Sequence, residues 1–138
     1  MNLNQVTLPT VDVERAAKFY RGLGFVQIVS SPPRYARFEC TDGGATFSLH
    51  QVAQLPTGPG AVVYFECSDL DRRYEALLKQ GVHFDSPPTD QPWLWREAYL
   101  RDPDGNLLCL YSAGENRRFP PWRLKDEGEV ANGDQRNR

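Results

Sequence analysis

The chain has 138 residues, 40% of them hydrophobic and 25% charged. That is the make-up of an ordinary globular protein, long enough for one compact domain or two small halves sharing a core. Sixteen Lys and Arg against eighteen Asp and Glu give a net charge of −2, so no basic surplus exists to neutralise a phosphate backbone and no nucleic-acid partner is expected. No apolar run approaches the roughly 20 residues of a membrane span, and MNLNQVTLPT lacks the basic and apolar regions of a secretory signal, so a cytoplasmic protein without a membrane partner is expected.

In chain order, Asn4–Thr10 reads as a strand. Asp12 then stands where it can cap a helix, with Glu14 in the first turn, where the helix dipole favours an acid. Val13, Ala16, Ala17 and Tyr20 fall on one helical face, and Gly22 and Gly24 mark its end. Short strands are predicted at Phe25–Val29, Tyr35–Cys40 and Thr46–Gln51, with a turn at Asp42-Gly43-Gly44. Leu55–Gly60 (LPTGPG) is a Pro- and Gly-rich linker.

The pattern then repeats. Asp12-Val13-Glu14-Arg15 recurs 57 residues on as Asp69-Leu70-Asp71-Arg72. A strand at Ala61–Cys67 precedes Asp69, again a helix cap, with Asp71 in the first turn. Leu70, Tyr74, Leu77 and Leu78 share the helical face, and Gly81 ends it. Strands are predicted at Val82–Phe84, Glu97–Arg101 and Leu107–Tyr111, with Asp102-Pro103-Asp104-Gly105 as the matching turn. The order is βαβββ twice. The expected organisation is a first module over 1–54, a linker over 55–60, a second module with an extension over 61–122, and a disordered polar tail over 123–138. The stiff segment Phe119-Pro120-Pro121-Trp122 is expected to pack on the body or on a partner subunit.

Three cysteines, Cys40, Cys67 and Cys109, are odd in number, widely spaced and without a CxxC, so neither a disulfide framework nor a Cys-based zinc site is expected. There is no serine–histidine–acid set at elbow spacing and no phosphate-binding glycine loop.

The duplicated strand–Asp–helix start (VTLPTVDVERAAKFYRGLGF, VVYFECSDLDRRYEALLKQGV) together with RDPDGNLLCLY resembles the vicinal oxygen chelate superfamily. That superfamily includes glyoxalase I, bleomycin-resistance proteins and extradiol dioxygenases. The resemblance covers about Leu3–Tyr111. It implies an α+β fold of two tandem βαβββ modules whose curled mixed sheets surround a concave pocket, and commonly a homodimer. In the metal-dependent members it implies four ligands, on the first and last strand of each module.

Those four positions match Gln5, Ser48, Val62 and Cys109 here. Valine offers no donor atom, and an amide, a hydroxyl and one thiol satisfy neither a hard cation nor zinc. No cofactor is therefore expected. A shifted metal site using Gln5, His50 and a nearby acid, Glu66 or Glu97, is the alternative. Strand parity adds Thr7, Thr46, His50, Tyr64, Glu66, Leu107 and Tyr111 to the concave lining. In Asp90–Ala98, Trp95 and Arg96 are candidates to clamp a planar or anionic ligand, although Trp and Arg equally suit a dimer interface. The candidate ligand-binding set is Gln5, Thr7, Ser48, His50, Tyr64, Trp95, Arg96, Cys109 and Tyr111. The leading expectation is metal-free binding of a small organic molecule. The alternative is a lyase, isomerase or dioxygenase using His50 as acid, base or shifted ligand, and a scaffold with a filled pocket is a third.

Overall fold

The computed structural model describes residues 1–125. The element order is β1 (Gln5–Thr10), α1 (Val13–Gly22), β2 (Val26–Ser31), β3 (Tyr35–Glu39) and β4 (Thr46–Gln51). It continues with β5 (Val63–Glu66), α2 (Leu70–Lys79), β6 (Thr89–Asp90), β7 (Arg96–Arg101) and β8 (Leu107–Ser112), followed by a 3₁₀ turn at Gly114–Arg117. Two four-stranded mixed sheets result, ordered β1-β4-β3-β2 and β5-β8-β7-β6. In each, the first strand of the module lies parallel to the last. This is the expected α+β pair of βαβββ modules. No helix among the described residues is long and apolar enough to cross a membrane.

The chain divides into two compact units. The first comprises Met1–Val62 with Arg101–Leu107, and the second Val63–Leu100 with the described residues from Leu108 onward. In the first unit, Asp12 caps α1 as expected, its Oδ1 accepting from the Arg15 amide at 3.1 Å. The helix stops at Gly24, whose φ of 104° a side chain would resist. Val13, Ala16, Ala17 and Tyr20 are the buried face. Against them, Leu8, Ala36, Phe38, Phe47 and Leu49 alternate inward from β1, β3 and β4. Tyr20 lies 5.0 Å from Phe47 and 5.9 Å from Phe38, and those two rings stack at 5.1 Å. Burying each large side chain contributes about 1.5–3 kcal/mol.

The Asp102–Asn106 turn completes this unit. Buried Asp102 accepts from the amides of Asp104 and Asn106 at 2.9 Å through Oδ1. Its Oδ2 accepts from the Tyr20 hydroxyl at 2.7 Å and from Asn106 Nδ2 at 2.8 Å. Asp104 Oδ1 accepts from the Val11 amide at 3.0 Å and from Arg15 at 3.2 Å, and Asn106 Nδ2 also reaches the Pro9 carbonyl. The boundary between the units therefore differs from a cut at the linker alone, because this turn satisfies polar groups at the start of α1.

The second unit departs from the sequence reading in three places. Asp69 stands at the N-cap of α2, but with ψ at 49° its carboxylate caps no amide. On the apolar face of α2, Leu70 and Leu77 are buried while Leu78 is exposed. Val82–Phe84 is not a strand: Phe84 turns in to pack on Tyr74 at 4.8 Å, and the chain passes Pro87-Pro88 before pairing as Thr89–Asp90 with β7. Of the Phe119–Trp122 segment, Phe119 is exposed, with Arg118 and Arg123 over its ring, and Trp122 is half-buried. The predicted disordered tail lies, from residue 126 onward, outside the described residues.

Candidate functional site

In the first unit the sheet face opposite α1 is polar. Alternation places Gln5 and Thr7 of β1, Tyr35 and Arg37 of β3, and Thr46, Ser48 and His50 of β4 on it. Ser48 lies at the centre, opposite Thr7 on one side and Arg37 on the other, and is fully buried. Its Oγ accepts from Gln5 Nε2 at 2.8 Å and meets the Tyr35 hydroxyl at 2.5 Å. Arg37 Nε donates to the Tyr35 oxygen at 2.9 Å. Thr46 donates to Gln5 Oε1. Partial burial works to raise the Tyr35 phenol, but the hydrogen bonds to Ser48 and from Arg37, with the guanidinium charge, outweigh it and hold the phenol below its ordinary range. His50, the candidate acid or base, is exposed, across from Tyr35.

In the second unit the corresponding face is aromatic. Trp95 stacks on Tyr111 with centroids 4.5 Å apart and planes at 16°. Tyr64 stands edge-on to both, at 5.9 Å and 5.6 Å. The Trp95 indole N–H donates to the Asn116 carbonyl at 3.2 Å, which fixes the ring from its far end. Beside this cluster Glu97 is buried. Its two carboxylate oxygens accept separately from Trp93 Nε1 at 3.0 Å and from the Tyr99 hydroxyl at 2.9 Å. Burial, then the bonds to Tyr64 and Glu97, push the Tyr99 phenol well above its ordinary range. The hairpin carrying Trp93 and Trp95 contains Leu94 at φ 67°, a left-handed conformation rare for such a residue.

Comparison with known proteins fits this architecture. Residues 2–110 match the family model for the Glyoxalase/Bleomycin resistance protein/Dioxygenase superfamily. The chain belongs to this superfamily. A superfamily protein from Nocardioides has a similar structure, with a TM-score of 0.73 and 28% identity over 91% of this chain and 90% of that one. A lactoylglutathione lyase from Agrobacterium tumefaciens shares the fold, with a TM-score of 0.68 at 16% identity over 80% of this chain and 92% of its own. The uncharacterized protein YraH of Bacillus subtilis (strain 168) is 28% identical over 128 residues, which is 80% of this chain and 98% of YraH.

The metal ion of the superfamily's metal-dependent members finds no fitting donor set at the four matching positions. Both ends of the Gln5 amide are engaged by Ser48 and Thr46. Val62 is apolar. Cys109 is fully buried, with its Sγ directed at the Leu110 carbonyl at 3.7 Å. Among the described residues no three His, Cys, Asp or Glu side chains group so as to hold a metal ion.

The candidate ligand-binding residues thus fall into two sets. Gln5, Thr7, Ser48 and His50 share the polar face of the first unit, and Tyr64, Trp95 and Tyr111 meet in the second. Cys109 lies level with Tyr64 on the sheet of the second unit and, like Ser48, has no exposed surface. Arg96 does not join Trp95 in a clamp. Successive strand residues face opposite ways, and the Arg96 guanidinium is held on the α2 side by Asp71 at 3.1 Å and Asp90 at 3.0 Å. Sequence reasoning missed Tyr35 and Arg37. Their spacing by two on a strand next to Ser48 was the available signal.

Proposed function

We propose that this superfamily member binds a small planar organic molecule, without a metal ion, against the aromatic cluster of Tyr64, Trp95 and Tyr111. The observation that carries the reading is the fixed Trp95–Tyr111 stack with Tyr64, still 37% exposed, set at right angles to it. Rigid aromatic side chains offer large contact area at little entropic cost, and stacking on them tolerates varied ring chemistry. The residues at the four metal positions support the metal-free part, since none of the four is a histidine, an aspartate or a glutamate.

The test is tryptophan fluorescence of the full chain titrated with p-nitroanisole, a neutral nitroaromatic that quenches indole on contact. Saturable quenching is expected, reduced in Trp95→Phe. Tyr64→Ala should weaken the affinity about fivefold or more, the order of one aromatic contact. Purely linear, collisional quenching would overturn the proposal, as would unchanged affinity in Tyr64→Ala. Loading the protein with zinc or nickel before the titration should leave the affinity unchanged.

A further inference from the structure

We propose that Tyr35 and Arg37, backed by Ser48 and Gln5, form a carboxylate-binding site on the polar face of the first unit. The hydroxyl protons of this face, not the aromatic cluster, define the site. Gln5 donates to Ser48, and Arg37 Nε donates to Tyr35. Between the Tyr35 and Ser48 hydroxyls there is one contact, at 2.5 Å, and two protons. Only one proton can fill that contact, so the other has no acceptor within the cluster.

Burial decides which proton is left over. Ser48 has no exposed surface, while Tyr35 is half-exposed. An unsatisfied donor is costly where water cannot reach it and cheap where water can. Ser48 therefore donates to the Tyr35 oxygen, and the phenol O–H points outward. Its oxygen already accepts from Ser48 and from a cation, which polarises the O–H and makes it a stronger donor.

Beside it stands the Arg37 guanidinium. Its Nε is spent on Tyr35, but its two Nη groups have no ion-pair partner among the described residues. The face thus presents a polarised phenol proton and the free end of a guanidinium, which is the donor pattern for an oxyanion. One cation matches one negative charge. Glu39, two residues along β3 on the same face, disfavours a second. A monoanionic carboxylate fits this balance better than a phosphate dianion. The ligand class assigned to this face is a small organic acid.

The test is an NMR titration of the full chain with butyrate, which has no ring for the aromatic cluster to stack on. Failure here and failure of the proposed function are therefore separable. Butyrate is expected to shift the Arg37 Nε–H and Ser48 amide signals saturably, with butyramide and inorganic phosphate markedly weaker. Arg37→Gln should weaken butyrate about tenfold or more and Tyr35→Phe severalfold. Lys18→Gln, which removes an exposed cation of α1, should leave the affinity unchanged. Equal binding of butyramide, tighter binding of phosphate, retained affinity in Arg37→Gln, or an equal loss in Lys18→Gln would each overturn the proposal.

Discussion

Tyr20→Phe removes one oxygen from the middle of the first unit and little else. The ring sits among Phe25, Phe38 and Phe47, so its packing survives. The hydroxyl donates to Asp102 Oδ2 at 2.7 Å, and a buried bond to a carboxylate is worth about 1.5–3 kcal/mol. Asp102 Oδ2 keeps Asn106 Nδ2 as a donor, so the carboxylate is not stranded and the lower part of that range applies. The expected loss is about 1.5–2 kcal/mol, which lowers Tm by roughly 5 °C for a chain of this size. Urea unfolding at neutral pH measures it.

The sign of the pH dependence gives a second reading of the same bond. Burial first, and then the negative charge of Asp102, push the Tyr20 phenol far above its ordinary range. The native state therefore holds that proton more tightly than the unfolded chain, whose phenols titrate near about 10. The contribution is complete below about pH 10 and falls above it, by up to about 1.4 kcal/mol per pH unit. Wild type should lose its advantage over Tyr20→Phe by about pH 11–11.5. Asp102→Ala, which strips four donors of their acceptor, should cost more, about 3–4 kcal/mol. A neutral-pH difference under about 0.5 kcal/mol, or parallel stability curves up to pH 11, would refute the reasoning.

The two helix caps should behave differently despite their similar sequences: Asp12→Ala is expected to cost about 1 kcal/mol in thermal unfolding, and Asp69→Ala close to nothing. Leu94→Gly relieves a left-handed backbone at an exposed site; allowing for the greater freedom of the unfolded chain, a net gain of about 0.5 kcal/mol is expected, and a loss would mean that the leucine side chain packs usefully. Glu97→Gln leaves one acceptor oxygen where Trp93 and Tyr99 now use two; a cost of about 1–2 kcal/mol should accompany a change in the tryptophan near-ultraviolet dichroism.

The first unit was largely legible because its signals are local and repeated. Val13, Ala16, Ala17 and Tyr20 follow helical spacing and are the residues that α1 buries. In the second unit similar local signals recur, but tertiary packing overrides some of them. SDLDRR looks like a capped start, but capping depends on a backbone angle that sequence does not display. GVHF has the composition of a strand, yet Phe84 gains more by covering Tyr74. At the candidate site, Gln5 and Ser48 could be found from their places on strands, and their partnership follows from the register of β1 and β4. Tyr35 and Arg37 could not be ranked, because Tyr and Arg alternating on a strand usually mean only an exposed sheet face. Only the register of β3 on β4 brings them to Ser48. Arg96 failed for the converse reason, since Asp71 is 25 residues away in sequence.

The membership of Arg101–Leu107 in the first unit also bears on how the chain acquires its structure during synthesis. The hydrogen bonds this turn makes to Tyr20, to the Val11 amide and to the Pro9 carbonyl span 82, 93 and 97 residues. A nascent chain therefore carries α1 and all four strands of its first sheet for a long interval before the acceptor of the Tyr20 hydroxyl has been made. Contacts that close loops of such length form late and slowly. A fragment ending in the Leu55–Gly60 linker would contain every helix and strand of its sheet and still leave these groups unanswered, so the linker is a boundary in composition but not in cooperativity. Folding of the first half should wait on translation of the second.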